Sequence, residues 1–395
     1  MTAQSLAGRI EQIQRAMRPF LEAMIQSPYA HRRAEPQAAD FIAGNPQEPT
    51  LPQFVAALTR WSVPLDKDWF AYKMMDPGAQ AAAAAGLRDR LGIAFEPDDI
   101  ILARGASGSL ALAMQAVLDP GDEVIFISPP WFFYEAMIIA CSATPVRVRV
   151  DPITYDLDID AIVEAITMRT RAVIVNTPHN PTGKIYPPET LEQLAAVLMQ
   201  ASEQHGRPIY VLSDEAYSRI LFDGRTFVTP ARFYRYTFLL HTYSKSALAP
   251  GQRLGYIALP PEMPDRPDIR AALMLVGLAT AIGMPDAVMQ YALADIDPLL
   301  IDLDHLQQKR DWMVSALREQ GYDLHVPEAT FYLLPRSPIA DDVAFTEFLA
   351  ARDVFVLPGA AVEMPGYFRV SLTANDAMIG RALPIFAEAM RAAVR

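Results

Sequence analysis

The chain has 395 residues, about half of them hydrophobic, and carries 34 lysines and arginines against 46 aspartates and glutamates, a formal net charge of −12. That length allows two or three core-forming units. The acidic balance argues against nucleic acid or an anionic membrane as a partner, because both call for clustered basic residues. The one cysteine, Cys141, permits no intrachain disulfide and is typical of a reducing compartment, so we expect a cytoplasmic protein.

From about residue 99 to 260, short apolar runs alternate with helical stretches. The predicted strands are 99–103, 123–128, 145–150, 172–176, 209–214, 237–242 and 253–260. One intervening helix begins at Pro188, ends before Gly206 and places Leu191, Leu194 and Leu198 on one face. This alternation predicts an α/β fold, with a mainly parallel sheet of buried strands covered by helices on both faces.

The pattern changes after residue 262 and predicts a smaller α+β domain. The helices expected there cover 286–320 and 341–353, followed by a last C-terminal helix, and the short strands expected there are 331–335, 354–359 and 367–372. The predicted division is therefore a large domain of 45–262 and a small domain of 263–395, joined by an N-terminal arm of 1–44. The apolar segment 271–284 is shorter than the ~18–20 residues that span a bilayer, so we expect a buried helix and no membrane partner.

Polar residues follow directly on five of the predicted strands. In open α/β sheets, ligands bind beyond the carboxyl ends of the strands. We therefore expect one edge of the sheet to gather Ser107, Trp131, Asn180, Asp214 with Tyr217, and Lys245. Lys245 is one of only five lysines and lies among hydroxyls, which suggests a use for its amine that an arginine could not serve.

Three motifs then carry a resemblance to a known family. "NPTG" at 180–183, "SDEAY" at 213–217 and "YSKSALAPGQRLGY" at 243–256 occur in the order and spacing of class I/II aminotransferases, and the chain resembles that family from about residue 41 to 373. The resemblance implies fold-type I architecture and pyridoxal 5′-phosphate as the cofactor. It also implies amino-acid and 2-oxo-acid substrates and a homodimer with shared active sites.

Lys245, Asp214 and Tyr217 are the predicted catalytic residues. A lysine amine can form a Schiff base with an aldehyde cofactor and can move a proton from Cα to C4′, whereas the alternative is a solvated surface lysine. An unpaired carboxylate is costly in an apolar strand, so a protonated pyridine nitrogen would suit Asp214, although it could simply cap a helix. The resemblance implies that Asn180 and Tyr217 donate to the ring phenolate of the cofactor; Asn180 could otherwise be only a turn residue.

A second group is predicted to hold the phosphate of the cofactor. The turn "GASGS" at 105–109 opens a helix, whose N-terminus can bind an anion through Ala106 and Ser107, although such a turn is often only structural. By resemblance, Thr242 takes the place of a usual serine and Arg253 matches the phosphate-binding arginine. Tyr72 resembles a tyrosine that reaches the phosphate of the neighbouring subunit.

The substrate is expected beside Gly44, Trp131, Asn180 and Arg369. Trp131 matches an aromatic residue stacked on the cofactor, although core packing would also explain it. Arg369 matches the arginine that binds the substrate α-carboxylate, and Gly44 matches a glycine of a closing loop. In one aspartate-using branch the residue at Ser107 is a lysine. Its absence here, with neighbouring aromatics, predicts a preference for aromatic or large aliphatic amino acids. The segment 362–366 lacks the usual Phe-Gly pair of the family.

Other functions remain open at this level. The same motifs serve β-lyases, cyclising synthases and oxidases of this fold, because the cofactor carries the shared chemistry. A non-catalytic regulatory domain is disfavoured, since no basic helix-turn-helix precedes the sheet pattern. No cluster of histidine, cysteine and aspartate has metal spacing, so we predict no metal site and interpret His179 and His241 as structural.

Overall fold

A computed structural model describes residues 6–393, in which a seven-stranded sheet forms the centre. The strands are β1 (Ala39–Asp40), β2 (Ile100–Ala103), β3 (Glu123–Ser128), β4 (Thr144–Arg149), β5 (Thr170–Asn176), β6 (Tyr210–Asp214), β7 (Thr237–Thr242), β8 (Gly255–Ala258), β9 (Tyr332–Leu333), β10 (Val354–Phe355), β11 (Leu357–Pro358) and β12 (Phe368–Ser371). The central sheet has the order β2-β8-β7-β6-β5-β3-β4. Only β8 runs in the opposite direction to the other six strands, so the predicted mainly parallel sheet is confirmed.

Helices cover both faces of that sheet and form most of the remaining chain. They are α1 (Gly8–Leu21), α2 (Tyr29–Arg32), α3 (Pro52–Trp61), α4 (Pro77–Leu91), α5 (Gly105–Val117), α6 (Tyr134–Ala140), α7 (Ile159–Ala165), α8 (Pro188–His205), α9 (Tyr243–Ser246), α10 (Arg266–Thr280), α11 (Ala287–Tyr291), α12 (Leu293–Ile296), α13 (Leu303–Glu319), α14 (Asp342–Ala350) and α15 (Asp376–Ala393). A π-helical turn at Glu22–Gln26 and 3-10 turns at Pro97–Asp99, Pro230–Arg232 and Gly359–Val362 complete them. None of the helices in this described range is long and apolar enough to cross a membrane.

The strand sequences explain why the sheet is buried on both sides. Successive side chains of a strand face opposite sides, so Val173 and Val175 pack under α8 while Ile174 packs on the other side, near α5. Helix α8 buries Leu191, Leu194, Ala195 and Leu198 on one face and ends at Gly206, as predicted. Strand β4, predicted to be buried, is instead an edge strand, and Arg147 and Arg149 are exposed on it.

A second core lies beyond the carboxyl side of the sheet. A three-stranded antiparallel sheet, β11-β12-β9, packs with α13, α14 and α15 around Phe345, Phe368 and Phe386. Strand β1 joins this region by pairing in parallel with β10. The N-terminal arm therefore reaches the small-domain side through β1, while its first helix lies against α6 of the large sheet layer.

Residues 263–296, which were predicted to belong to the small domain, pack against the large domain instead. Leu273 of α10 joins the core beside α5, and Met289 and Leu293 join the core under α3 and α4. The predicted helix over 286–320 is three helices, with a break that contains Pro298, because proline cannot continue a helix. Helix α10 buries Leu273 but leaves 66% of Leu275 exposed, so the apolar segment 271–284 is only half buried.

Candidate active site

The carboxyl ends of the strands open into a cavity of about 250 Å³. Its lining includes these residues predicted from the sequence: Gly44, Ala106, Ser107, Trp131, Asn180, Asp214, Tyr217, Thr242, Lys245, Arg253 and Arg369. The remaining predicted residue, Tyr72, is 98% exposed and does not line this cavity. The parallel topology explains the convergence, because strands β3, β5, β6 and β7 all end at the same edge.

Hydroxyls and one guanidinium form an anion cradle at the start of α5. Gly105 has φ +70°, a left-handed conformation that favours glycine, and an added Cβ would lie 2.7 Å from Nη2 of Arg253. Arg253 donates from Nη2 to Ser107 Oγ at 3.0 Å and from Nη1 to Ser244 Oγ at 3.2 Å. Thr242 donates to Ser244 Oγ at 2.9 Å. With the N-terminus of α5 alongside, the cradle has the donors that a phosphate needs.

Asp214 ends β6 with a fully buried carboxylate. Its Oδ2 accepts a hydrogen bond from the Tyr134 hydroxyl at 2.6 Å, and its Oδ1 accepts one from the Ala216 amide at 3.2 Å. Burial raises the pKa of Asp214, while these donors and the charge of Lys245 act to lower that pKa. Since no described residue forms an ion pair with this carboxylate, a protonated ring nitrogen would supply the missing positive partner.

Lys245 sits on the short helix α9, directly after β7, and is partly buried. Its ammonium lies 5.9 Å from the ring centroid of Tyr217 and 5.6 Å from that of Phe331. The Tyr217 hydroxyl, in turn, donates to the hydroxyl of Tyr332 at 3.4 Å. The amine therefore faces a cavity walled by aromatic rings, where a carbonyl-bearing cofactor or substrate can approach it.

Arg369 is buried at the small-domain side of the cavity. It donates from Nη1 to Asn180 Oδ1 at 3.0 Å and from Nη2 to the Ile42 carbonyl at 2.9 Å, and its guanidinium lies 4.1 Å from the ring centroid of Tyr332. Its Nε has no hydrogen-bond partner among the described residues. A buried unsatisfied donor is costly, so this guanidinium is suited to bind an incoming carboxylate.

Sequence reasoning missed several residues of the cavity. Tyr134 does not line the cavity but donates a hydrogen bond to Asp214, and the sequence did not predict that contact. Asn176 follows β5 directly and so carried a usable signal; its amide donates to the Asp214 carbonyl at 2.9 Å. Phe20 and Met24 also line the cavity, but nothing in the N-terminal helical pattern distinguishes them from ordinary packing residues.

Two buried histidines and one group of possible metal ligands lie outside the cavity lining. Burial lowers the pKa of both His179 and His241 to about 3, so each is neutral near pH 7. In the described part of the chain one three-residue group, Glu48, His305 and Asp376, has the proximity of metal ligands, which the sequence spacing did not predict. Glu48, however, already pairs with the ammonium of Lys309 at 2.6 Å.

The fold and the chemistry of this cavity are those of a fold-type I pyridoxal-phosphate-dependent enzyme. A family model described as aminotransferase class I and II matches residues 40–385. The aspartate/prephenate aminotransferase of Thermus thermophilus is 29% identical over 389 residues, covering 95% of this chain and 97% of that protein. An aspartate aminotransferase of Rhizobium meliloti is 32% identical over 322 residues, covering 75% of this chain and 76% of that protein.

A solved structure of an amino transferase from Eubacterium rectale has a TM-score of 0.87 to this chain at 27% identity, covering 99% of this chain and 97% of that one. The chain therefore belongs to the class I and II aminotransferase family. It is a pyridoxal-phosphate-dependent transaminase, and pyridoxal 5′-phosphate is its cofactor.

Proposed function

We propose that this transaminase moves the amino group of an aromatic or large apolar L-amino acid to a 2-oxo acid in two half-reactions of a ping-pong cycle. The observation that carries the substrate preference is the charge of the cavity lining. Among the described residues, the positively charged side chains that line the cavity are Lys245 and Arg253 at the cofactor side and Arg369 at the carboxylate side. The side-chain carboxylate of a donor such as aspartate would therefore be buried without a positive partner, which is costly. A large apolar donor side chain instead gains about 1.5–3 kcal/mol on burial.

The roles of the protein residues follow from their positions. Pyridoxal phosphate, when bound, supplies an electron sink for breaking the Cα–H bond of the donor. We assign its phosphate to the anion cradle of Ala106, Ser107, Thr242 and Arg253, and its ring nitrogen to Asp214. Lys245 holds and moves the proton at Cα. Asn180 and Tyr217 orient the ring, Trp131 and Gly44 enclose it with the substrate, and Arg369 fixes the α-carboxylate.

A second candidate donor is aspartate, because the two relatives named above are an aspartate/prephenate and an aspartate aminotransferase. Single-turnover loss of the yellow absorbance separates the two. We expect phenylalanine, leucine and methionine to react faster than aspartate at equal concentration. A fastest reaction with aspartate would overturn the apolar preference and leave the transaminase assignment intact.

The ping-pong cycle has its own test with the donor alone. A transaminase stops after one half-reaction until a 2-oxo acid is added. We expect one equivalent of the oxo product per site and no ammonia. Continuous ammonia release would instead support a lyase or an oxidase of the same fold.

We also propose a homodimer in which Tyr72 serves the neighbouring subunit. Tyr72 is 98% exposed and lies outside the cavity of its own chain, and the nearby Leu65 and Phe70 are 72% and 62% exposed. Such a run of exposed apolar side chains favours a covering partner surface. Sedimentation should give twice the chain mass, and Tyr72→Phe should weaken cofactor retention; a monomer with full cofactor affinity would contradict the proposal. The cytoplasmic location remains a prediction from composition.

A further inference from the structure

The N-terminal helix closes one side of the cavity with apolar side chains. Phe20 lies in the last turn of α1, and Met24 lies in the π-helical turn Glu22–Gln26 that follows. Both line the cavity, although both precede residue 40, where the match to the family model begins. This side of the cavity is therefore built by a segment that precedes the part of the chain matched by the family model.

The local backbone presents both side chains to the same side. Residues four apart share a helix face, which brings Phe20 and Met24 together. Pro19 lies inside the helix and lacks an amide donor, and the π-helical turn begins three residues after it. Such π-turns are frequent at functional sites, and here Met24 of the turn lines the cavity.

Phe20 is fixed by aromatic contacts to the sheet-edge loop. Its ring stacks on that of Phe132, with centroids 4.2 Å apart and planes 22° apart, and meets Phe133 at 5.1 Å. The ring of Phe132 also lies 5.9 Å from the guanidinium of Arg369. A donor held by its carboxylate at Arg369 therefore has the Phe20–Phe132 stack as an immediate neighbour.

We propose that Phe20 and Met24 determine which amino donor the enzyme accepts, by forming with Phe132 an apolar wall for the donor side chain. The inference rests on the proposed transaminase with an apolar donor preference, and it assigns that preference to the N-terminal helix. The wall contains no charged group, and the cavity lining also includes the aliphatic residues Ile42, Ala43 and Leu357. Aromatic rings stack in this offset manner, and a flexible thioether adapts to donors of different shape.

The test compares donors in the holoenzyme and in the variants Phe20→Ala, Met24→Ala and Phe20→Leu. With 2-oxoglutarate as acceptor, Phe20→Ala should lower kcat/KM for phenylalanine roughly tenfold to a hundredfold, since a lost apolar contact typically weakens discrimination by that factor. Alanine, whose methyl group is too short to fill the wall, should lose less than about threefold by the same reasoning. Phe20→Leu should restore much of the phenylalanine activity.

A binding readout and a matched control separate specificity from stability. Binding of 3-phenylpropanoate, followed by the absorbance of the holoenzyme, should weaken with Phe20→Ala in parallel with kcat/KM. Phe348→Ala is the control. Phe348 lies on α14 and is partly buried like Phe20, but its ring packs against the guanidinium of Arg352 and does not line the cavity. Phe348→Ala should leave the ratio of kcat/KM for phenylalanine to kcat/KM for alanine unchanged.

The outcomes distinguish the inference from the proposed function. If the wild-type enzyme prefers aspartate to phenylalanine, both fail. If it prefers phenylalanine but Phe20→Ala, Phe20→Leu and Met24→Ala all keep the phenylalanine-to-alanine ratio of the wild type, only the role of the wall is overturned. A fall in that ratio in Phe20→Ala, with thermal midpoints equal in Phe20→Leu and wild type, supports the inference.

Discussion

The sheet edge and the apolar wall border the same cavity, but the chain encodes them in different ways. At the sheet edge, each polar residue follows its strand within a few positions, as Lys245 follows β7 and Asp214 ends β6. The wall joins Phe20 of the first helix to Phe132, more than a hundred residues later. The first kind of arrangement can be read from neighbouring residues, and the second depends on how distant segments pack.

The two regions also divide the chemistry. The sheet edge supplies the carboxylate, the amine and the anion cradle that a cofactor requires, so changes there should impair every donor alike. In our proposal the wall contacts the side chain of the donor, so changes there should alter the choice among donors. Substitutions in each region test whether this division holds.

Replacing Lys245 should have the largest effect. In the roles proposed for Lys245, Lys245→Ala removes both the covalent attachment and the proton carrier, so we expect kcat to fall at least about ten-thousandfold for all donors, or about 5.5 kcal/mol in barrier. Borohydride reduction of the wild-type enzyme should leave the cofactor on a peptide that contains Lys245. Recovery of the label on Lys184 or another lysine would contradict the assignment.

Asp214→Asn should have the next largest effect. The amide keeps the shape of the side chain but cannot stabilise a protonated ring nitrogen, so we expect kcat to fall roughly a hundredfold to a thousandfold, about 3–4 kcal/mol. The loss should be equal for phenylalanine and alanine, because we assign Asp214 to the ring nitrogen of the cofactor and not to the donor side chain. Cofactor binding, measured by absorbance, should persist. Near-normal turnover would exclude the electron-sink role.

Much of the large sheet was predictable, because buried parallel strands leave a clear sequence pattern. The predicted strands 123–128 and 237–242 have the bounds of β3 and β7. The site residues that follow the strands were predictable as well. Parallel strands all end at the same edge of the sheet, whatever their lateral order, so the residues after them converge there. The contact between Phe20 and Phe132 could not be found, since an apolar residue on an amphipathic helix has the same signature wherever that helix packs.

The small-domain side was harder to predict for a related reason. Its strands β9, β10 and β11 are each two residues long, too short for a periodic pattern. The helix over 286–320 was predicted as continuous because its apolar periodicity continues across Pro298. Arg369 was identified through resemblance alone, because no local pattern shows that its guanidinium reaches Asn180 from the other domain.

Glu215 offers a third test at the sheet edge, through the pH dependence of stability. Its carboxyl is 1% exposed and accepts hydrogen bonds from Ser213 at 2.9 Å and Thr229 at 2.5 Å. Burial raises the pKa of Glu215 from 4.5 to about 8. A raised folded-state pKa stabilises the fold fully below about pH 4.5, and that contribution is lost as the pH rises through about 8.

The measurement is the thermal midpoint of wild type and Glu215→Gln between about pH 5 and pH 8, the window set by this pKa. The wild-type midpoint should fall across the range, and that of Glu215→Gln should fall less, because the amide does not ionise. Thr229→Val is a useful second variant, because it removes a hydrogen-bond donor to the carboxyl of Glu215. The thermal midpoint of this variant should fall more steeply with pH than that of the wild type. Parallel curves for wild type and Glu215→Gln would show that Glu215 is ionised throughout.

The smallest expected effect concerns the link between the two regions. Glu363, in the segment that departs from the family pattern, accepts a hydrogen bond from Ser128 at 2.7 Å and pairs with Arg147 at 2.6 Å. Ser128 ends β3, just before the loop that carries Trp131 and Phe132, so this contact joins the small-domain side to the sheet edge. The side chains of Arg147 and Glu363 are 39% and 23% exposed, so water and salt screen the pair.

Such a pair contributes about 0.2–1 kcal/mol, so Glu363→Gln should lower the thermal midpoint by at most about 3 °C and lose that effect in high salt. The amide still accepts from Ser128, which leaves the loop in place, so the phenylalanine-to-alanine ratio should not change. A double-mutant cycle with Arg147→Met measures the coupling directly. A coupling above about 2 kcal/mol, or a changed donor ratio, would mean that the sheet edge and the wall depend on each other through this contact and that their division of labour is incomplete.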